Sequence, residues 1–137
     1  MGRAIVTLDT SALFALLNRR DPDHQPISQT LLADRGPYLV PAGILAEIGY
    51  LIEQRLGLDV LDAFLADLQE RAFVLEPGED DLARIRELVR RYADLPLCLA
   101  DASVIACAER HGGSVLTLDH RHFGAVAREG TIILLPT

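Results

Sequence analysis

The chain has 137 residues and carries 20 acidic against 13 basic side chains, which gives a formal net charge of -7. Its size predicts one domain over residues 1–137, since domains commonly contain about 100–150 residues. The acidic balance excludes a protein that coats nucleic acid with a basic surface. Every basic side chain is an arginine, which excludes Schiff-base chemistry and a P-loop, because both need a lysine ammonium.

Cysteine usage and hydropathy indicate the compartment. Cys98 and Cys107 are not spaced as zinc ligands, and we expect both to be small buried residues in a reducing environment. No apolar run approaches the roughly 18–20 residues of a membrane span, and the N-terminus passes directly into a strand-like segment. The sequence therefore predicts a soluble cytoplasmic protein that has no membrane partner.

Short apolar segments alternate with amphipathic segments along the chain. Strands are predicted at residues 3–8, 38–40, 72–76, 114–118 and 131–135. Helices are predicted at residues 12–18, from a turn at 21–26 to about 35, at 41–56 with Pro41 in the first helical position, and at 58–70, 79–92 and 99–111. This alternation predicts an α/β fold, a three-layer α/β/α sandwich around a parallel sheet. Functional sites in such sheets lie beyond the carboxyl ends of the strands.

Four acidic residues stand in unusual positions. Asp9 and Asp119 each follow Thr-Leu at the end of a predicted strand, so both are expected at the same sheet edge. Glu47 is spaced to project within the apolar stripe of its helix, and Asp101 shares a helix face with small apolar residues. Helix capping, the helix dipole and a solvent-facing or arginine-paired position for Glu47 are the alternative explanations.

Convergence of these four carboxylates would have a chemical consequence. Like charges held close together favour protonation or the recruitment of a cation. A site made of oxygen ligands suits Mg²⁺ or Mn²⁺ rather than zinc. Such an ion activates water and stabilises a leaving oxygen, so the acids point to metal-assisted hydrolysis of a phosphodiester.

Four segments resemble, in order, the motifs of the PIN-domain nucleases. They are residues 8–13 (LDTSAL), 40–48 (VPAGILAEI), 95–102 (LPLCLADA) and 116–123 (LTLDHRHF). The match spans nearly the whole chain. Its length resembles that of the VapC toxins of type II toxin–antitoxin pairs.

This resemblance implies a five-stranded parallel sheet in the order 3-2-1-4-5 and an endoribonuclease that depends on Mg²⁺ or Mn²⁺. It implies that Asp9, Asp101 and Asp119 bind the metal, and that Glu47 binds it directly or through water or acts as a general base. Three hydroxyl groups would orient these acids, those of Thr10, Ser11 and Thr117. A homodimer and a cognate antitoxin, whose arm enters the acidic groove, are further implications.

Two groups of basic residues outside this set each allow a structural and a substrate-binding interpretation. His120, Arg121 and His122 are expected in a surface loop after Asp119, where they are candidate contacts for substrate phosphate. A second group lies on one predicted helix and is expected to form a solvated, ion-paired face, with RNA or dimer contact as the alternative. It consists of Arg84, Arg86, Arg90 and Arg91.

Other functions compete with that of an active ribonuclease. A catalytically silent binding module of the same fold is disfavoured because all four acids are present. A DNA nuclease is compatible with the same chemistry. A receiver domain would need a lysine, and a haloacid-dehalogenase-type phosphatase would need an aspartate where Ser11 stands.

Overall fold

A five-stranded parallel sheet forms the middle layer of the protein in the computed structural model, which describes residues 5–33 and 36–136. The strand order β3-β2-β1-β4-β5 confirms the expected one. The strands are β1 (Val6–Leu8), β2 (Tyr38–Pro41), β3 (Val74–Glu76), β4 (Ser114–Leu116) and β5 (Ile133–Leu135). Four of them are shorter than the apolar segments that predicted them, whereas β2 extends one residue beyond its segment, to Pro41. The predicted start of β1 at residues 3–4 lies outside the described residues.

The described residues contain seven α-helices, which flank the sheet and complete the predicted three-layer α/β/α sandwich. They are α1 (Thr10–Leu17), α2 (His24–Ala33), α3 (Leu45–Arg55), α4 (Leu58–Gln69), α5 (Leu82–Arg91), α6 (Leu99–Arg110) and α7 (His120–Ala127). The predicted end of α2 near residue 35 lies outside the described part of the chain. Within that described part, no helix has the length and apolar character to cross a membrane.

Pro41 is the last residue of β2 rather than the first residue of a helix, which corrects the expectation. Its φ of -63° suits a helix start, but its ψ of 137° makes the residue extended. A 3-10 turn at Ala42–Ile44 then separates the strand from α3. Helix α3 therefore begins four residues later than predicted, at Leu45 instead of Pro41.

Helix α7 occupies the segment that was expected to be a loop. Asp119 caps it, because its side chain accepts a hydrogen bond from the backbone N–H of His122. Phe123 and Val126 are buried, and the burial of these two apolar side chains stabilises the short helix against the rest of the protein. Gly124 in its middle lowers its intrinsic helix propensity, which hides it from a sequence pattern.

Helix α6 passes through the middle of the molecule. Its residues from Ala102 to Ala108 are all buried, and it contacts β1, β2, β4, α5 and α7. Gly43, in the turn before α3, lies so close that a Cβ there would stand 2.3 Å from Ser103 Oγ. This approach brings the start of α6, which carries Asp101, against the start of α3, which carries Glu47.

Candidate functional site

The four acids singled out in the sequence line one pocket of about 460 Å³. Asp9 follows β1, and Asp119 lies three residues beyond the end of β4. Glu47 comes from the first turn of α3 and Asp101 from the first turn of α6. The fold therefore collects carboxylates from four separate elements at the carboxyl edge of the sheet.

Asp9 is the most constrained of the four. Its carboxylate accepts hydrogen bonds from Ser11 Oγ at 2.8 and 2.9 Å, from the Ala12 N–H at 2.9 Å and from Thr117 Oγ1 at 2.5 Å. Burial raises the pKa of Asp9 to about 6, although these hydrogen bonds lower it, and the nearby charge of Asp119 raises it further. Asp9 also caps α1, so the capping explanation holds together with its place in the pocket.

Two of the three hydroxyl groups expected to orient the acids contact them directly. Thr117 Oγ1 donates to Asp9 and accepts from the backbone N–H of Asp119 at 2.9 Å, so one side chain joins both acids. Ser11 Oγ donates to Asp9 and accepts from the N–H of Leu118 at 3.0 Å. Thr10 lines the pocket, but none of the hydrogen bonds among the described residues joins its hydroxyl to an acid.

His122 lies at the site rather than in a surface loop, and this corrects the expectation for it. It is half-buried in the first turn of α7, and its Nδ1–H donates to Asp119 Oδ2 at 2.9 Å, because an ionised carboxylate only accepts. Its backbone N–H donates to the other oxygen, Oδ1, at 3.0 Å. His120 and Arg121 are exposed, as expected, although on a helix rather than in a loop.

A group able to hold a metal ion is formed by Asp101, Asp119 and His122, whose ligand atoms lie within 4.8 Å of one another. The carboxylates supply oxygen ligands of the kind that Mg²⁺ and Mn²⁺ prefer. A cation there would also offset the repulsion between Asp9 and Asp119. The donor set and the open pocket therefore fit a hard divalent ion that keeps some of its water.

Glu47 is exposed, so its predicted projection into the apolar stripe is wrong. The buried side of α3 carries Ile48 and Ile52, while Glu47 and the half-buried Leu51 line the pocket. The solvent-facing alternative is the correct one. Glu47 therefore lines the pocket while its carboxylate stays in contact with water, so folding does not bury its charge.

Sequence reasoning missed two charged residues of the pocket wall, Arg55 and Asp21. Arg55 is eight residues after Glu47 on α3, which places both on one helix face, and that spacing was available as a signal. Asp21 lies in the irregular segment between α1 and α2, where no periodicity could have pointed to it.

The two cysteines differ from each other. Cys107 is fully buried, and burial raises the pKa of its thiol to about 11, which makes it a poor nucleophile. Cys98 is exposed, contrary to expectation, because it caps α6 with its Sγ 3.5 Å from the N–H of Asp101. Both thiols are free.

The arginines of α5 mostly follow the ion-paired expectation. Arg84 bonds to Glu87 on its own helix and to Glu109 on α6, with an N···O distance of 2.7 Å to the latter. Arg91 pairs with Glu129 at 2.6 Å. These contacts engage two of the four guanidinium groups in packing between elements.

Comparisons with known proteins agree with this architecture. A family model described as PIN domain matches residues 6–129. The chain is 33% identical over 121 residues to Ribonuclease VapC26 of Mycobacterium tuberculosis, which covers 87% of this chain and 90% of that protein.

Solved structures show the same fold. The Mycobacterium tuberculosis toxin VapC20, which cleaves the sarcin-ricin loop, superposes with a TM-score of 0.75 at 23% identity, over 88% of this chain and 94% of that chain. VapBC2 from Rickettsia felis, bound to a DNA fragment from its promoter, gives 0.67 at 16% identity over 95% and 96% of the two chains. FitAcB from Neisseria gonorrhoeae gives 0.62 at 18% identity, with the same coverage.

Proposed function

The chain belongs to the PIN-domain family, in its VapC-type branch, and on that premise we propose that it is the toxin of a toxin–antitoxin pair. Its proposed activity is that of an endoribonuclease, which hydrolyses RNA phosphodiester bonds with the help of Mg²⁺ or Mn²⁺. The observation that carries this proposal is the meeting of Asp9, Glu47, Asp101 and Asp119 in one pocket at the sheet edge.

In this proposal, Asp101 and Asp119 would hold the cation, and His122 steadies Asp119 through its hydrogen bonds. When bound, a divalent cation supplies Lewis-acid activation of water and neutralises charge on the leaving oxygen. Asp9 adds negative charge at the back of the pocket. Ser11 and Thr117 keep its carboxylate in one orientation.

Glu47 has a separate role in the proposed reaction. It is exposed on the pocket wall, so it can accept a proton from the attacking water, or it would hold the cation through a water molecule. The chain thereby divides the work between the buried Asp9 and the half-buried Asp101 and Asp119, which hold charge, and the exposed Glu47, which exchanges protons.

The test is cleavage of total RNA by the purified chain and by Asp101→Asn, with Asp62→Asn as a matched control. Asp62 is an exposed acid of α4 that does not line the pocket. We expect cleavage by the unsubstituted chain and by Asp62→Asn, a loss of at least about 100-fold in Asp101→Asn, and inhibition by excess EDTA. Near-normal circular dichroism of Asp101→Asn would separate lost chemistry from lost folding.

Other outcomes would overturn the proposal. Cleavage that persists in excess EDTA would remove the metal from the mechanism. Faster cleavage of single-stranded DNA than of RNA would make the protein a DNA nuclease. If the chain arrests growth without cutting any nucleic acid, it is the catalytically silent binding module.

The proposal includes two protein partners in the cytoplasm, a cognate antitoxin and a second copy of the chain. Support for the antitoxin is the similarity to VapC26, and the acidic pocket suits a basic arm. Co-purification with the product of the neighbouring reading frame tests it. Light scattering tests the homodimer, since the monomer has a mass of 15.0 kDa.

A further inference from the structure

Arg55 stands at the junction of two pockets. The acidic pocket adjoins a larger one of about 920 Å³, and Phe14, Asp21 and Arg55 line both. The guanidinium carbon of Arg55 lies 6.0 Å from the centre of the Phe14 ring, at the outer limit of a cation–π contact. The charged end of the side chain, and not only its stem, is therefore placed at this passage.

The guanidinium of Arg55 is free to bind a ligand. Ion pairs of the described residues engage Arg84, Arg91 and Arg110, but none involves Arg55. The side chain is exposed, although Asp21 and Glu47 line the same pocket. An unpaired arginine beside several carboxylates keeps its five N–H donors available for an incoming anion.

A ribonuclease with this pocket has an electrostatic problem at the point where its substrate enters. Five acids line the pocket, namely Asp9, Asp21, Glu47, Asp101 and Asp119, and all of them oppose an RNA phosphate when ionised. Asp101 and Asp119 would hold a cation whose charge offsets this repulsion at the phosphate that reacts. Arg55 is the one basic residue lining this pocket in the described part of the chain, so it can compensate at a neighbouring phosphate.

We propose that Arg55 binds a backbone phosphate of the RNA strand next to the one that is hydrolysed. This inference rests on the proposed ribonuclease function and makes Arg55 a substrate-binding residue. The planar guanidinium offers two parallel N–H donors to one phosphate. The strand passes Arg55 into the larger pocket, whose rim carries Arg19 and Arg20.

Equilibrium binding of a short, fluorescently labelled single-stranded RNA of mixed sequence tests the proposal. The measurements are made in Mg²⁺ with Asp101→Asn as the background, so that the RNA stays intact. Arg55→Gln, Arg55→Lys and Arg86→Gln are added singly to that background. Arg86 is an exposed arginine of α5 outside both pockets, so its variant carries the same change of charge.

Fluorescence anisotropy over a series of salt concentrations gives both the affinity and the number of phosphates engaged. We expect Arg55→Gln to weaken binding by about 10-fold, as for one lost charge-assisted hydrogen bond. The slope of log K against log salt should become shallower by about 0.7, the value for one phosphate of a single strand. Arg55→Lys should restore the slope but not the full affinity, and Arg86→Gln should change neither.

Several results would overturn the inference. Equal affinity and slope in Arg55→Gln and its background would exclude a phosphate contact, and an equal loss in Arg86→Gln would make the effect one of net charge. Weaker capture of the antitoxin with unchanged RNA binding would assign Arg55 to the protein partner. RNA cleavage by the unsubstituted chain keeps the proposed function in these cases, whereas absent cleavage and absent binding would remove both.

Discussion

Asp119 is held at both carboxylate oxygens by a single residue, His122, through one backbone and one side-chain hydrogen bond. A carboxylate fixed in this way cannot rotate freely when a cation approaches. A nitrogen of its imidazole also lies within 4.8 Å of a carboxylate oxygen of Asp101. His122 therefore sets the position of the proposed metal ligand, whether or not its own nitrogen reaches the ion.

Replacement of His122 by alanine should weaken Mn²⁺ binding by about 10- to 100-fold, the usual effect of losing a residue that orients a metal ligand. Isothermal titration calorimetry of the RNA-free protein measures this directly. His120→Ala is the matched control, because His120 is exposed on the same helical turn. Equal Mn²⁺ affinity in both variants would show that His122 does not position Asp119 for the metal.

At the level of secondary-structure elements, the site depends on how closely α6 approaches the turn before α3. The absent side chain of Gly43 makes room for Ser103, whose hydroxyl donates back to Leu99 O at 2.8 Å within its own helix. Asp101 lies two residues before Ser103. Any retreat of α6 from this turn would therefore carry Asp101 away from Glu47.

Gly43→Ala should lower the free energy of unfolding by about 1–3 kcal/mol, the usual cost of overpacking. Reduced RNA cleavage should accompany it, because the start of α6 is displaced. Gly49→Ala is the control, since a Cβ there meets no atom within 4 Å and alanine favours a helix by roughly 0.5–1 kcal/mol. Urea unfolding measures both, and equal stability of the two variants would contradict the tight contact.

The sequence was sufficient for the elements whose signal is local. Apolar β-branched segments identified all five strands, and the four acids followed from strand ends and helix spacing, while the strand order came from the family resemblance. Helix α7 was missed because its reason to form is the burial of Phe123 and Val126, which is a tertiary contact. His122 was expected only as a substrate contact in a surface loop, because its hydrogen bond to Asp119 depends on the formation of α7. Arg55 shares a helix face with Glu47, and that spacing was not used.

For the molecule as a whole, the pocket is a source of instability as well as function. Asp9 is ionised at neutral pH although it is buried, and burial has raised its pKa from an ordinary 3.8 to about 6. Between these two values the folded chain holds a proton that the unfolded chain has released. The contribution of Asp9 to stability therefore falls as the pH rises from about 4 to about 6.

Asp9→Asn should stabilise the metal-free protein at pH 7 by roughly 1–3 kcal/mol, because the buried charge is removed. Asparagine still caps α1, and the hydroxyls of Ser11 and Thr117 can rotate to accept from its amide. The gain should vanish near pH 4, where the folded form of Asp9 is protonated. Urea unfolding in EDTA at both pH values checks this, and a variant less stable than the parent at pH 7 would contradict the stated cost of burial.

The difference in exposure between the two thiols has a practical consequence. Cys107 is sealed in the interior, whereas Cys98 is exposed at the start of α6, three residues before Asp101. A maleimide dye will therefore attach at one position. Mildly alkaline solution will speed the reaction, because partial desolvation raises the pKa of the Cys98 thiol although its residue is exposed. The natural chain thus carries its own attachment point for an optical reporter that brightens or dims when the neighbouring pocket fills.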